Sequence, residues 1–222
     1  MTMAIKLSDR GYRRSVWLTA SVLVITLSIA ICFGWQAGKI TAKAYLSQWL
    51  LQITWQQRRV AGETLRPWPG LDSYPIARLY TEDNTRGTVV LDNASGQALA
   101  FAPTLIEFAS DNSDSNINTK RYKSETGKIA VDNSLLAIAG HRNTHLAFLE
   151  HSVDGDVIGL ETVDGNRRLF RVSHRYIIDT RYEDLLVERS WQGLLLITCY
   201  PFDTLQSNGP LRLVVYASPV TG

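Results

Sequence analysis

Three zones of hydrophobic patterning follow one another along the chain. Residues 16–33 are almost continuously apolar, residues 37–61 carry apolar side chains at helical spacing, and short apolar runs separated by turn residues follow from Tyr74 onward. A run of the first kind lies at the lower length limit for crossing a bilayer, and Trp17 and Trp35 extend it as interfacial anchors. The pattern predicts a membrane helix, a second helix and a mainly β domain.

The third zone predicts eight strands and two short helices. Turn signals such as Asp154-Gly155 and Asp164-Gly165 separate the apolar runs. The expected strands cover 76–80, 88–91, 105–108, 135–139, 156–161, 169–178, 194–198 and 211–217. Short helices are expected over 93–101 and 144–151, the second capped by Asn143 or Thr144. Many short strands are typical of a β-barrel or sandwich, and the polar stretch 110–128 predicts a mobile loop.

Basic residues before the apolar run predict its orientation. Arg10, Arg13 and Arg14 precede it, and Asp9 is the only acidic residue before position 63. Positive residues flanking a membrane helix stay on the cytoplasmic side. We therefore expect four segments in order: a cytoplasmic N-terminus (1–15), a transmembrane anchor (16–35), a juxtamembrane helix and linker (36–65) and an exported domain (66–222).

Two kinds of processing compete with a retained anchor. A signal peptide has an apolar region of about 7 to 15 residues, followed by small residues at the cleavage site. Here the run is longer, and Gly34-Trp35-Gln36-Ala37 is a poor cleavage site. Cleavage as a lipoprotein at Cys32 is disfavoured because Ile31 occupies a position that requires a small residue. We therefore expect the anchor to be retained.

The helix predicted over 37–61 has two interpretations. It is either a spacer packed on the globular domain, or an interfacial helix that holds the domain near lipid through Tyr45, Trp49 and Trp55. The pattern favours neither. The breaker Arg66-Pro67-Trp68-Pro69-Gly70 then marks the expected start of the domain.

Composition argues against a nucleic-acid partner and leaves Cys199 as a single thiol in the exported domain. The chain has 222 residues, 45% of them hydrophobic, and a formal net charge of +2. No basic stripe of the kind that nucleic-acid binders carry is present in the sequence, so we expect no nucleic-acid partner. Of the two cysteines, Cys32 lies within the apolar run and Cys199 in the exported domain. The two should not pair, and Cys199 is either incidental or a nucleophile.

Three residues of the exported domain have the chemistry for acyl transfer. Cys199 ends the strand predicted over 194–198, and Arg212 begins the next strand, so an antiparallel hairpin would place them at one sheet edge. His141 follows the strand predicted over 135–139. A thiolate attacks a carbonyl, an imidazole transfers protons and a guanidinium stabilises an oxyanion. Each residue alone has an ordinary explanation: a buried cysteine, a structural histidine or a salt-bridged arginine.

The residues around these three resemble the sortases, a family of cysteine transpeptidases anchored outside the cytoplasmic membrane. The strand-end motif Thr-Leu-x-Thr-Cys is matched by Leu195-Leu196-Ile197-Thr198-Cys199, with Leu in place of the first Thr. The histidine element resembles 136–142, and the arginine element resembles 211–215. The resemblance spans about residues 72–218 and implies an eight-stranded barrel. The strings 140–149 and 198–203 are similar to the class found in Gram-negative, often marine, proteobacteria.

The resemblance implies roles for individual residues. Cys199 would be the nucleophile, His141 the acid–base group and Arg212 the oxyanion or substrate clamp, while Thr198 would be either a substrate-positioning or a packing residue. The expected substrate is an exported protein whose C-terminal Leu-Pro-x-Thr-Gly-like sorting signal is cut between Thr and Gly, with transfer to an unidentified amine. The expected location is the inner membrane, with the barrel in the periplasm and lipid contacting the anchor. The segment after Ala102-Pro103 departs from the family pattern, which leaves motif preference open.

Other functions remain as alternatives. A cysteine peptidase would hydrolyse the same thioester with water, and a non-catalytic tethered barrel would bind exported peptides without a covalent intermediate. An L,D-transpeptidase is disfavoured because its Ser-His-Gly-Cys-like run is absent. His145 stands four residues after His141, a spacing that some metal pairs share, but no third ligand accompanies them. We therefore expect no metal and no cofactor.

Overall fold

A computed structural model describes residues 9–62, 65–106, 135–182, 185, 191–204 and 209–220. The elements in chain order are α1 (Asp9–Ala61), β1 (Pro75–Tyr80), β2 (Thr88–Leu91), α2 (Gly96–Leu99), β3 (Thr104–Ile106), β4 (Leu135–Ala139), a 3₁₀ turn (Ala147–Glu150), β5 (Val157–Thr162), β6 (Arg167–Asp179), β7 (Gly193–Cys199) and β8 (Leu211–Pro219). The predicted polar loop, the end of the predicted third strand and most of the predicted cytoplasmic N-terminus lie outside these residues.

The eight strands form a closed barrel, which confirms the predicted mainly β fold. Their order around the barrel is β1-β2-β3-β4-β7-β8-β6-β5. The β2–β3 and β4–β7 pairs are parallel, and the remaining pairs are antiparallel. Alternate side chains of each strand point inward and form one apolar core. Its members include Ile76, Leu79, Val90, Leu136, Ile138, Leu160, Phe170, Leu194, Leu196 and Val215.

The last part of α1 packs against the barrel. Residues from Ser47 onward belong to the same compact unit as the strands. Leu51 and Trp55 are at most 1% exposed and contact the apolar side chains of Leu71 and Leu91. Arg58 donates a hydrogen bond of 2.6 Å to the carbonyl oxygen of Pro75. Trp55 is therefore a core residue, and this stretch of the helix is a packed spacer rather than an interfacial helix.

The earlier part of α1 contains one candidate membrane span, which stands as a separate unit. Trp17–Gln36 has a mean hydropathy of 2.1, and none of it is buried. Its hydroxyl groups are internally bonded: Ser21 donates to the carbonyl of Trp17, Thr26 to that of Val22, and Ser28 to that of Val24. Such back-bonding removes the cost of bringing a hydroxyl into lipid.

The two short helices are smaller than the sequence predicts. α2 covers Gly96–Leu99, and the Ala98 amide donates to Ser95 Oγ at 3.1 Å, which caps the helix. The predicted helix over 144–151 is only the 3₁₀ turn Ala147–Glu150. Leu146 precedes it and makes no side-chain capping bond, so the predicted cap at Asn143 or Thr144 is wrong. Without a polar cap, the segment before this turn closes through backbone bonds instead.

Replacing Trp55 with alanine should destabilise the barrel by about 3–5 kcal/mol, because it removes a fully buried aromatic ring and leaves a cavity. Trp49→Ala is the matched control on the same helix, since Trp49 is 59% exposed, and should cost about 0.5 kcal/mol or less. Urea unfolding of the full chain in detergent micelles, followed by circular dichroism, measures both. Equal losses in the two variants would contradict the packed-spacer interpretation.

Candidate functional site

Three strands bring the predicted site residues to one edge of the barrel. β7 lies between β4 and β8. β4 and β7 are parallel, with Ala139 opposite Ile197, so both strands end at the same edge. β8 is antiparallel to β7 and begins there, with Arg212 directly opposite Cys199. His141 follows two residues after the end of β4, as the sequence predicts.

Cys199 and Arg212 lie on the outer face of the barrel. Side chains alternate along β7, so Cys199 shares a face with Leu195 rather than with the inward-pointing Leu196. Arg212 likewise shares a face with Val214. Leu195 and Val214 belong to a second apolar cluster outside the barrel core, which we call the outer-face cluster. Cys199 itself is half-buried and is not part of a disulfide.

Backbone carbonyls orient the Arg212 guanidinium. Its Nη1 donates to the carbonyl oxygens of Gly209 at 2.6 Å and Leu211 at 2.9 Å. Within the described part of the chain, no carboxylate forms an ion pair with Arg212. Arg212 therefore stands opposite Cys199 in the register with no acidic partner among the described residues, and an uncompensated cation suits oxyanion stabilisation.

Two polar contacts hold the strand ends in register. The Thr198 hydroxyl, which is buried, donates to the Gly140 carbonyl at 2.8 Å, and the Gly140 amide donates to the Ile197 carbonyl at 3.1 Å. These bonds fix the backbone just before His141 against the backbone just before Cys199. Thr198 therefore has a structural role, and the substrate contact that the resemblance implies for it stays a prediction.

Arg142 is a residue that the sequence reasoning missed. It is 6% exposed, and its Nη2 donates to the Thr204 carbonyl at 2.7 Å, while its Nε donates to Asn143 Oδ1 at 3.2 Å. These bonds connect the segment after His141 to the loop after Cys199. The position of Arg142 directly after the candidate histidine is a sequence signal for a role in the site. Its partner Thr204 is 62 positions away, however, and the pattern does not predict that contact.

A second histidine contacts the first. His141 is exposed, and the ring centroid of His145 lies 6.5 Å from that of His141. Burial, with a smaller contribution from the charge of His141, lowers the pKa of His145 to about 4. His145 is therefore neutral near pH 7. Among the described residues, no three His, Cys, Asp or Glu side chains are grouped closely enough to hold a metal ion.

A groove of about 550 Å³ begins at the residue that follows Cys199. Residues 200–203, which directly follow Cys199, form one wall, and Ile177 of β6 and Leu213 of β8 form the other. The Tyr200–Pro201 peptide bond in this wall is cis. Arg175 also lines the groove and donates to the Leu149 carbonyl at 3.0 Å, joining the strand to the 3₁₀ turn. Cys199, His141 and Arg212 do not line this groove, which begins at Tyr200, one residue beyond the thiol.

Comparison with known proteins identifies the family. A sortase domain model matches residues 88–220, and the chain belongs to the sortase family, whose members are generally cysteine transpeptidases. A comparison with curated protein sequences found no match.

Solved sortase structures share the fold. Sortase A from Corynebacterium diphtheriae superposes with a TM-score of 0.50 at 17% identity, covering 69% of this chain and 64% of that one. Its lid mutant gives 0.50 at 15% identity, covering 78% and 92%. A Clostridium perfringens sortase D5 transpeptidase gives 0.49 at 16% identity, covering 75% and 88%. This chain covers 64% of the length of the Corynebacterium diphtheriae sortase A, which is less than two thirds. Sequence identities of 15–17% establish a shared fold and nothing further.

Replacing Thr198 with valine should loosen the register between the two strand ends. The variant cannot donate to Gly140, so the Gly140 amide should exchange about five- to tenfold faster, as expected for a lost hydrogen bond of about 1 kcal/mol. Hydrogen exchange followed by NMR measures this rate. Thr198→Ser keeps the hydroxyl and is the control. Unchanged exchange in the valine variant, or equal acceleration in both, would refute this structural role.

Low pH should destabilise the protein through His145. The unfolded chain takes up this proton near the ordinary pKa of 6.5, whereas the folded chain takes it up only near 4. Between these values the unfolded state binds more protons, so stability falls as pH decreases through this window, by up to about 3 kcal/mol. His145→Gln should remove this component. Denaturant titrations of both proteins at pH 7.5 and pH 4.5 provide the measurement, and parallel pH dependences would contradict the prediction.

Proposed function

We propose that this protein is a membrane-anchored cysteine transpeptidase that cleaves a Leu-Pro-x-Thr-Gly-like C-terminal sorting signal and transfers the product to an amine. The observation that carries the proposal is the convergence of His141, Cys199 and Arg212 at one barrel edge in a chain of the sortase family.

The first half-reaction forms a thioester. The Cys199 thiol gives its proton to His141, and the resulting thiolate attacks the Thr carbonyl carbon of the sorting signal, giving a tetrahedral oxyanion that the Arg212 guanidinium stabilises. As the oxyanion collapses, the Thr–Gly C–N bond breaks. His141 donates a proton to the departing Gly amine, and the N-terminal part of the substrate remains bound to sulfur as an acyl group.

The second half-reaction transfers the acyl group. An acceptor amine attacks the thioester carbonyl, the C–S bond breaks, and the amine's proton passes to His141. The products are a new amide and a free Cys199. The Arg212 guanidinium serves this oxyanion as it served the first one. A peptidase would follow the same first step and use water in the second, releasing a free acid.

The surroundings of Cys199 offer complementary surfaces for such a substrate. The outer-face cluster shares the face that carries the thiol, and its half-buried member Ile197 lies two residues before Cys199. An apolar Leu-Pro segment would pack against Ile197, while the Thr carbonyl reaches the sulfur. The groove of about 550 Å³ beside Tyr200 gives room for chain on the other side of the scissile bond or for the acceptor.

The helix Trp17–Gln36 serves as the anchor in this proposal. The preceding arginines favour a cytoplasmic N-terminus, which would place the barrel on the opposite side of the membrane. The similarity of residues 140–149 to the Gram-negative class supports the inner membrane and the periplasm as the location. A catalytic barrel there meets exported proteins directly after translocation.

A thioester should form on Cys199 and nowhere else. The full chain in detergent micelles is incubated with a panel of Leu-Pro-x-Thr-Gly-like peptides, and its intact mass is measured. An adduct with the mass of the N-terminal peptide fragment should appear on the wild type and on Cys32→Ala, but not on Cys199→Ala. An adduct retained on Cys199→Ala would overturn the assignment of the nucleophile.

The same experiment separates transfer from the alternatives. With a panel of primary amines added, a transpeptidase yields the amide of the N-terminal fragment, whereas a peptidase yields only the free acid. A non-catalytic peptide-binding barrel yields no adduct with any peptide of a broad panel.

A further inference from the structure

The barrel carries a second pocket that the proposed chemistry does not use. It has a volume of about 590 Å³ and lies where the end of α1 meets the loop after β1 and the start of β6. The arginines that line it are Arg59, Arg78, Arg86, Arg167 and Arg168. We propose that this arginine pocket binds a phosphate group, either of a soluble phosphate compound or of an anionic lipid headgroup.

The arginine pocket is separate from the Cys199 edge. Arg168 lies near the start of β6, and Ile178, near the end of the same strand, pairs with Arg212. The intervening stretch of extended strand spans about 30 Å at about 3.3 Å per residue. The proposal therefore concerns a different ligand from the sorting signal and stands independently of the proposed transpeptidase activity.

Among the residues that the structure describes, positive charge in the arginine pocket exceeds the negative charge that contacts it. Glu161 is 1% exposed and accepts a hydrogen bond from the Tyr80 hydroxyl. The same carboxylate pairs with Arg59 at 3.1 Å and Arg167 at 3.4 Å. In the described chain, neither Arg78 nor Arg86 has an ion-pair partner. One carboxylate thus serves two guanidinium groups, and the charges of Arg78 and Arg86 are available to an anion.

Arg78 is the strongest single indication of a ligand. It is 7% exposed, its Nη2 donates to Gln52 Oε1 at 2.8 Å, and its guanidinium lies 5.1 Å from the Trp55 ring centre. Its Nε is buried and has no hydrogen-bond partner among the described residues. A buried donor on a charged group is costly unless it is satisfied. Because Arg78 lines the pocket, an oxyanion bound there would pair with its guanidinium group.

Phosphate fits this set of donors better than a single carboxylate does. Guanidinium groups donate two parallel hydrogen bonds to a phosphate, and several arginines are able to share its oxygens. The hydroxyl groups of Thr81 and Thr85 add neutral donors at the rim. The volume is large enough for a phosphate with an attached alcohol or sugar, so the same chemistry suits a soluble ester and a lipid headgroup.

Pyrophosphate is the probe for the binding chemistry. The full chain in detergent micelles is titrated with sodium pyrophosphate, and with sodium chloride at matched ionic strength, while thermal unfolding and the heat of binding are recorded. We expect saturable binding and a raised Tm with pyrophosphate only. The variant Arg86→Gln/Arg167→Gln should bind at least about tenfold more weakly. Both residues are exposed, so the variant should fold, whereas Arg78→Gln risks the core.

Arg171→Gln is the matched control. Arg171 lies on β6 and is exposed, but it donates to the Gly155 carbonyl and does not line the pocket. It should bind pyrophosphate as the wild type does. If pyrophosphate binding were weakened equally in the control and the double variant, net charge alone would explain the effect, and the proposal would be overturned. Absence of saturable binding together with no lipid retention, measured as follows, would also overturn it.

A lipid arm distinguishes the two sources of phosphate. The full chain is reconstituted in nanodiscs of phosphatidylcholine containing phosphatidylglycerol, extracted in mild detergent, and examined by native mass spectrometry. Retention of phosphatidylglycerol by the wild type and Arg171→Gln, with loss in the double variant, assigns the pocket to a lipid headgroup. Pyrophosphate binding that needs Arg86 and Arg167, without differential lipid retention, assigns it to a soluble phosphate compound.

Discussion

The parallel pairing of β4 with β7 is the constraint on which the site depends. Because parallel neighbours end at the same edge, this pairing brings the segment after β4 beside the end of β7. The hairpin to β8 then adds Arg212 from the other side. The Thr198–Gly140 hydrogen bond removes the remaining freedom at this edge. Regular strand pairing thus brings three residues from distant parts of the chain to the same edge.

Much of this arrangement can be predicted from the sequence. The rest cannot, and the reasons are physical. Short apolar runs with turn signals predict the strands, and a hairpin places Cys199 near Arg212 because its contacts are local. The contacts of Arg142 with Thr204 and of Thr198 with Gly140 join distant segments and have no periodic signature. The predicted 144–151 helix fails because no polar cap offsets the unsatisfied amides of its first turn.

The inner and outer faces of the barrel wall have different roles. Inward side chains form one apolar core that holds the strands together, and the outward face carries Cys199, Arg212 and the outer-face cluster. The arginine pocket uses a third surface, built from α1, the loop after β1 and the start of β6. The sequence does not predict this pocket, because its arginines are spread over 110 positions among other charged surface residues. Only the folded chain brings them together.

The packing of α1 on the barrel affects how this molecule responds to being cut. Leu51 and Trp55 cover Leu71 and Leu91, and Arg58 is bonded to Pro75. A fragment starting at Arg66 would leave that apolar surface bare and prone to aggregation. A protease that cleaves the connection after α1 would sever the chain, yet the helix would remain attached by these contacts. The last turns of α1 are therefore joined to the barrel both covalently and by these contacts.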